Sequence, residues 1–289
     1  TVKNDEPIRE PIARLGKMIS DRMEVMLGKE KITKESPEYW GLAPICTDEQ
    51  ALIAIKMGKR KPRTFAQIKK LTKINDDEYL QKQLDEMSNN GLIEYNWENP
   101  QHEKQYVLPM YVPGSAEFTN MNADVLRDHP EMGRFFERMS RLPLEKVTPM
   151  VPLGGAGIGM HVIPVEKAIE MENHSVSVEH ISHWLDKYEG KYAASPCSCR
   201  RSRVTYDEGC ADDPEGWCIA VGDMADYVVE TNKGGRYITR EKVYEILEQA
   251  EENGFVHQIT NIDGENKIFA ICNCNVNVCY ALRTSQLFN

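Results

Sequence analysis

The feature that most constrains this chain is the placement of its cysteines. Seven of the eight lie in the last third of the 289 residues, in two groups with short internal spacings. The first group is Cys197, Cys199, Cys210 and Cys218, and the second is Cys272, Cys274 and Cys279. A chain without a secretion signal that gathers its thiols in this way is typically a metal protein and not a disulfide scaffold. The cysteine region therefore predicts a metal site.

The number and spacing of these cysteines favour an iron–sulfur cluster. A structural zinc site takes four ligands, commonly in two C-x(2–4)-C pairs, whereas this chain has two C-x-C pairs and too many thiols for one zinc. Disulfides would leave an odd thiol. A [4Fe–4S] cluster takes four thiolates, so the seven cysteines supply one full set and three ligands of a second. Zinc and unligated thiols stay open as alternatives. A fourth ligand of the second set could be His257, water, substrate or a partner protein's cysteine, or the two groups could share one cluster and leave some thiols spare.

Composition limits the classes of function. The net charge is −10, from 45 acidic and 35 basic residues, which disfavours broad nucleic-acid binding. No stretch reaches the roughly 18 consecutive apolar residues of a membrane helix, and residues 1–10 lack the apolar segment of a signal peptide. We therefore expect a cytoplasmic protein without a membrane span. Because the chain starts at Thr1 and not at Met, we also expect it to be a piece of a longer protein.

Patterns along the chain predict an α+β protein in four parts. These are an N-terminal helical arm (1–45), a winged-helix domain (46–110), a helical connector (111–195) and a small cysteine-rich α+β iron–sulfur domain (196–289). In the arm, apolar residues recur every three or four positions from Ile8 to Met26. This spacing predicts one amphipathic helix that ends near Gly28.

The second part has the helix–helix–helix–hairpin order of a winged helix. Thr47 with Gln50 is the signature of a capping box for the first helix. Asn75 or Asp76 is placed to cap the third helix, which the following Asn-Gly pair ends. The segments 92–97 and 105–108 predict the two strands of the wing.

The charge of the third helix argues against a DNA-binding role for this domain. Between residues 76 and 90, five acidic residues stand against the single Lys82. A recognition helix lies among phosphates and should be basic or neutral. We therefore expect the winged helix to be a scaffold that packs against protein.

The connector contains a glycine-rich segment at 154–159 that is not a nucleotide loop. The dinucleotide fingerprint needs a strand, then G-x-G-x-x-G, then a helix, and the spacing here differs, so a flexible turn is favoured. Helices are predicted at 130–141, 166–172 and 177–188. His180 and His183 share a face of the last helix, but no cysteine or carboxylate pattern completes a metal site with them.

In the cysteine-rich part, the sequence predicts two helices and a hairpin. The helices cover 224–230 and 240–253, and Thr239 caps the second. A turn at 261–264 leads to a strand at 267–271 that delivers the second cysteine group. Arg200 and backbone amides beside the thiolates would offset the negative charge of a cluster. Cys46, alone and upstream, is expected to be a core residue.

Several motifs of this chain resemble a known family. S-P-C-x-C-R, G-x-x-x-D-Y-V-x-E, G-R-x-I-T-R-E, N-G-F-V-H-Q and I-C-N-C resemble the iron–sulfur segment found ahead of ferredoxin-like and flavin/pyridine-nucleotide modules in anaerobic electron-transfer oxidoreductases. T-P-M-V-P-L-G and H-V-I-P-V-E-K-A-I resemble the region that links a winged helix to that segment, so the resemblance covers most of residues 45–285. The family has further cysteines after C-N-C, where this chain has Asn275 to Val278.

The residues and the resemblance together predict an electron-transfer module or subunit with one or two [4Fe–4S] clusters. The expected partner is a flavin- or ferredoxin-bearing protein, and the resemblance implies that flavin or nicotinamide would bind outside this chain. No catalytic acid, base or nucleophile is predicted. Two alternatives stay open, an iron–sulfur redox-sensing DNA-binding regulator and a zinc-stabilised interaction module.

Overall fold

The computed structural model describes residues 6–133, 160–163, 180–205, 216–260 and 266–285. The chain divides into two units, Thr1–Met150 and Val151–Asn289. Each unit combines helices with a sheet, so the expected α+β class is confirmed. The finer division into four parts stays a prediction.

The first unit is largely helical and contains a three-stranded sheet. Its described helices are α1 (Glu10–Ile19), α2 (Met23–Met26), α3 (Pro37–Leu42), α4 (Asp48–Met57), α5 (Phe65–Thr72), α6 (Asp77–Asn89), α7 (Ser115–Met121) and α8 (Ala123–Asp128). The strands β1 (Arg63–Thr64), β2 (Glu94–Asn96) and β3 (Gln105–Val107) pair antiparallel in the order β1-β3-β2.

Local capping signals set where the helices of this unit start. The Thr47 hydroxyl accepts the backbone N–H of Gln50 at 3.1 Å, and the Gln50 side chain accepts the backbone N–H of Thr47 at 3.1 Å. The predicted capping box is therefore confirmed at the start of α4. At the start of α6, the Asp76 carboxylate accepts the backbone N–H of Tyr79 at 3.0 Å.

The prediction of one amphipathic helix over residues 8–26 is wrong, because the chain leaves the helical path at Ser20. There ψ is 140°, which ends α1 three residues before α2 begins. The Ser20 hydroxyl donates to Glu38 at 2.7 Å and accepts the backbone N–H of Arg22 at 3.1 Å. The Arg22 guanidinium also binds both carboxylate oxygens of Glu38 at 2.7 Å. The buried Glu38 carboxylate, which is distant in sequence, thus holds the chain in a non-helical path after Ile19. The spacing of apolar residues does not predict this break.

A hairpin of β2 and β3 lies inside the two predicted strand segments. The two-residue strand β1, which the sequence did not indicate, adds to it through the pair Arg63 and Tyr106. The Lys104 amine lies 3.7 Å from the ring centre of Tyr95, which packs edge-on against Tyr106 and Trp97. These contacts pack the side chains of the two strands together and stabilise the hairpin.

A six-stranded sheet organises the second unit. Its strands are β4 (Met160–Val162), β5 (Tyr192–Ser195), β6 (Cys218–Val221), β7 (Arg236–Tyr237), β8 (Val256–Thr260) and β9 (Ala270–Cys274), in the antiparallel order β4-β8-β9-β6-β5-β7. The helices described with it are α9 (Ile181–Lys187), α10 (Ser198–Val204), α11 (Asp223–Glu230), α12 (Arg240–Glu252) and α13 (Tyr280–Ser285). β4 and β5 come from the segment predicted as a helical connector.

The two faces of this sheet differ in chemistry. One face packs with α9 and α12 into an apolar core, whose members include Trp184, Leu185, Tyr192, Ala194, Ile219, Val221, Val243, Ile246, Leu247, Ile259 and Ile271. Alternate residues of a strand point to opposite faces. Cys218 and Cys272, which neighbour core residues in their strands, therefore lie on the other face, as does Cys274.

The structure confirms the helices predicted around the cysteines. α11 and α12 match the segments 224–230 and 240–253 to within a residue, and the Thr239 hydroxyl accepts the backbone N–H of Lys242 at 3.3 Å. α9 lies within the helix predicted at 177–188. The turn at 261–264, the glycine-rich segment, the helix at 166–172 and most of the helix at 130–141 fall outside the described residues.

Candidate metal centre

Backbone pairing joins the two cysteine groups across the second sheet. Cys218 opens β6 and stands directly opposite Cys272 in the antiparallel pair of β6 and β9. The same register places Ser195 of β5 and Gln258 of β8 beside them, so these four residues form one row across four strands. Cys274 follows on the same face of β9.

Two short helices bring three more thiols to this row. Cys197 is the N-cap residue of α10 and Cys199 lies in its first turn, while Cys279 directly precedes α13. Cys199 lies within electrostatic reach of Cys197 and Cys279. Cys279 lies within the same reach of Cys274. The helix starts are thereby held against the end of β9.

The six described thiols of the second unit form one continuous assembly. In contact order they are Cys197, Cys199, Cys279, Cys274, Cys272 and Cys218, all free. The first four close into a ring, because Cys274 also lies within electrostatic reach of Cys197. We call these four the thiol ring. It takes two members from each sequence group, while Cys210 lies outside the described residues.

Two members of the thiol ring ionise readily. The hydrogen bond from Cys199 lowers the pKa of Cys197 to about 6. Hydrogen bonds from Cys199 and Cys274, together with backbone N–H groups at the start of α13, hold the pKa of Cys279 well below its ordinary value. Hydrogen bonds with Cys197 and Cys279, and burial, raise the pKa of Cys199. Against a lowering interaction with Cys272, the interaction with Cys279 and burial raise the pKa of Cys274 well above its ordinary value. Thiolate is the form of cysteine that binds metals, so Cys197 and Cys279 are the readier ligands of the four.

Arg200 connects α10 to the sheet through a hydrogen bond and two ring contacts. Its side chain is fully buried, and Nη1 donates to the backbone carbonyl of Asn273, which lies between the two cysteines of β9, at 3.0 Å. The guanidinium carbon lies 4.6 Å from the ring centre of Phe255 and 5.3 Å from that of Trp217, within cation–π range. One side chain thus links the helix that carries the first cysteine pair to the strand that carries the second.

Gln258 is a member of the site that the sequence did not single out. Its Nε2 donates to the sulfur of Cys279 at 3.6 Å, within the buried interior. Its place opposite Cys272 puts it on the thiol face. Only the pairing of β8 with β9 shows this, because the sequence alone does not fix the register between strands.

The histidines considered as ligands do not join the thiols. His257 pairs with Asn273 in register, and its Nδ1 lies 2.7 Å from the Asn273 side-chain oxygen, on the face of the sheet opposite Gln258. His180 is the N-cap residue of α9, and His183 packs edge-on against Trp184, whose helix covers the apolar core. His257 therefore does not supply the fourth ligand of a second centre.

The donor chemistry of the thiol ring fits an iron–sulfur cluster. A [4Fe–4S] cluster binds four thiolates, one on each iron. Within the residues that the structure describes, no group of three or more His, Cys, Asp or Glu side chains is arranged to hold a single metal ion. All four members of the ring are soft sulfur donors, the type that iron–sulfur clusters and zinc prefer.

Cys46 is a core residue of the first unit, as the sequence predicts. It is buried, and its thiol donates to the backbone carbonyl of Thr47 at 3.3 Å. Burial raises its pKa to about 12, which keeps it a neutral thiol. It therefore offers a matched control for substitutions in the second unit.

Comparison with protein-family models, with curated proteins and with solved structures finds no match for this chain. Over the described ranges, none of the helices combines the length and the apolar character that crossing a bilayer requires.

Proposed function

We propose that this chain is an electron-transfer module whose thiol ring, Cys197, Cys199, Cys274 and Cys279, holds one [4Fe–4S] cluster. The observation that carries the proposal is the meeting of thiols from both sequence groups in one assembly of sulfur donors. Four thiolates are the complete ligand set of such a cluster. The resemblance of the cysteine motifs to an iron–sulfur segment of anaerobic oxidoreductases supports the same conclusion.

The surroundings of the ring suit a redox centre. When bound, the cluster supplies reversible one-electron transfer. The chain's own groups donate hydrogen bonds to the sulfurs: the backbone N–H of Arg200 to Cys197, and the Gln258 amide to Cys279. Such donors stabilise negative charge on the sulfurs and raise the reduction potential. Cys274 and Cys279 are both buried, which keeps water away from half of the ring.

We propose a winged-helix fold for residues 46–110, in the role of a scaffold for protein contacts. The order α4, β1, α5, α6, β2, β3 and the three-stranded sheet support this assignment. An open groove along α6 is lined by acidic side chains, among them Asp77, Glu78, Asp85 and Glu86. These charges would repel phosphates, so the groove supports a protein partner over DNA. A flavin- or ferredoxin-bearing protein in the cytoplasm is the partner we propose.

The decisive experiment is a metal and sulfide count on protein purified without oxygen. We expect about four irons and about four sulfides per chain, the content of one cubane cluster. One zinc with no iron would instead support the zinc-stabilised module. Tight binding of random duplex DNA at low salt would instead support the alternative function, a redox-sensing DNA-binding regulator.

Substitution of single thiols tests which residues hold the cluster. Cys199→Ser should abolish most of the iron content and the visible absorption, because it removes one of four ligands. Cys46→Ser, a buried thiol of the other unit, should leave both unchanged. Equal iron in the two variants would remove Cys199 from the ligand set.

A further inference from the structure

Cys218 and Cys272 lie outside the thiol ring and face each other across two strands. Two backbone bonds flank them, from Val221 N–H to the Phe269 carbonyl at 3.0 Å and from Asn273 N–H to the Trp217 carbonyl at 3.3 Å. In an antiparallel ladder, hydrogen-bonded pairs alternate with non-hydrogen-bonded pairs. The two bonds make Val221–Phe269 and Trp217–Asn273 hydrogen-bonded pairs. Cys218–Cys272 is one position from Trp217–Asn273 and three from Val221–Phe269, so it is a non-hydrogen-bonded pair.

This register gives the two cysteines the backbone spacing that a disulfide needs. The Cα atoms of non-hydrogen-bonded pairs lie about 4.5 Å apart, and disulfides span about 4.4–6.8 Å between Cα atoms. The thiols of Cys218 and Cys272 also interact electrostatically. Both side chains are partly exposed, so a small oxidant can reach them.

We propose that Cys218 and Cys272 form a reversible cross-strand disulfide, a redox-modification site beside the thiol ring. The oxidant is a small-molecule disulfide of the glutathione type. One protein thiolate attacks it, releasing one glutathione thiolate and forming a mixed disulfide, and the second protein thiolate then displaces the other glutathione. Two protein thiols lose two electrons and two protons in total, and one glutathione disulfide becomes two thiols. The inference goes beyond the proposed function and does not require the cluster.

The disulfide would change the surroundings of the thiol ring next to Cys274. In the reduced state, the Cys272 thiol lies on the same face of β9 as Cys274, a ring member, and interacts with it electrostatically. A sulfur in a disulfide can neither ionise nor donate a hydrogen, so oxidation of the pair alters that interaction. The redox state of the pair thereby changes the electrostatic environment of the ring without changing its ligands.

The test is disulfide mapping on the full chain, purified without oxygen and equilibrated with mixtures of reduced and oxidised glutathione. After alkylation of free thiols, we expect a cross-linked peptide joining Cys218 to Cys272 that grows as the buffer becomes more oxidising and disappears on reduction. Chymotryptic cleavage after Trp217 separates Cys218 from Cys210, and fragment spectra assign the second sulfur. Cys218→Ser and Cys272→Ser should each abolish the cross-link, and Cys46→Ser should retain it.

Iron and sulfide counted on the same samples separate this inference from the proposed function. If the purified protein contains no iron and the cross-link still forms, the cluster proposal is wrong and the disulfide inference is supported. Loss of iron in Cys218→Ser equal to that in Cys199→Ser would make the pair ligands and overturn the inference. Wild-type protein whose disulfides join other cysteines, or that forms none at any glutathione ratio, would overturn it too.

Discussion

Arg200 connects the helix that carries Cys199 to the strand that carries Cys272 and Cys274. Its guanidinium is buried, donates to the Asn273 carbonyl at 3.0 Å and lies over Phe255 and Trp217. We expect Arg200→Lys to lower the free energy of unfolding by about 2–3 kcal/mol, because an ammonium cannot reproduce the planar contacts and a charged hydrogen bond is weakened. Denaturant unfolding followed by circular dichroism measures the change.

The same substitution can also be tested by the reduction potential of the proposed cluster, which a purely structural role of Arg200 would not change. If Arg200 positions α10 against β9, Arg200→Lys should shift the reduction potential of the cluster, since it also changes the charge distribution beside Cys197. Arg127→Lys is the control, because its ion pairs with Asp124 and Asp128 are exposed and contribute less than about 1 kcal/mol. Equal stability of the two variants would contradict the anchoring role.

At the scale of elements, the starts of helices were predictable and the partners of strands were not. Thr47, Asp76 and Thr239 each cap the helix that follows them, since a cap involves residues only two or three positions apart. β1 and the break at Ser20 depend on partners far away in sequence, Tyr106 and Glu38. Local chemistry can be read from the sequence, whereas pairing between distant segments cannot.

The capping box of α4 makes an element-scale prediction. Thr47→Ala removes the acceptor for the Gln50 N–H, so it should cost about 1 kcal/mol of unfolding free energy. Thr47→Ser keeps the hydroxyl and is the matched control, with an expected change of less than about half that value. Urea unfolding of the three proteins under one buffer gives both numbers. Similar losses in the alanine and serine variants would mean that the methyl group, not the cap, matters.

At the scale of the whole molecule, the candidate site shows what the spacing of cysteines along the chain leaves open. Residue type and count supplied the ligand candidates but did not decide whether the two groups form two centres or share one, and the iron–sulfur assignment stays a proposal. The sequence grouped Cys218 with Cys197 and Cys272 with Cys279, as neighbours along the chain. The antiparallel pairing of β6 with β9 instead joins Cys218 to Cys272 and leaves the ring to the helix starts and the end of β9. The order and register of the strands decide which cysteines lie together, and the spacing of cysteines along the chain does not determine them.

The stability of the first unit should depend on pH through two partly buried acids. Burial, aided by the nearby Glu38 carboxylate and opposed by Arg22, raises the pKa of Asp21 to about 7. Burial likewise raises the pKa of Glu117 to about 8, although its carboxylate accepts the Gly114 N–H at 2.7 Å. The folded chain therefore holds protons that the unfolded chain releases near pH 4. Their stabilising contribution is complete below about pH 4, decreases as pH rises above it, and is gone once pH exceeds the folded-state pKa values of about 7 and 8.

Asp21→Asn tests this dependence, because the amide keeps the shape of the side chain and cannot ionise. Between pH 5 and pH 7, wild-type protein should lose roughly 2 kcal/mol of unfolding free energy relative to the variant, at about 1.4 kcal/mol per pH unit. Urea unfolding at several pH values measures the difference, in which any contribution from a bound cluster cancels. Asp128→Asn, at an exposed position, should run parallel to wild type. Parallel curves for Asp21→Asn as well would show that Asp21 is ionised in the folded chain across this range.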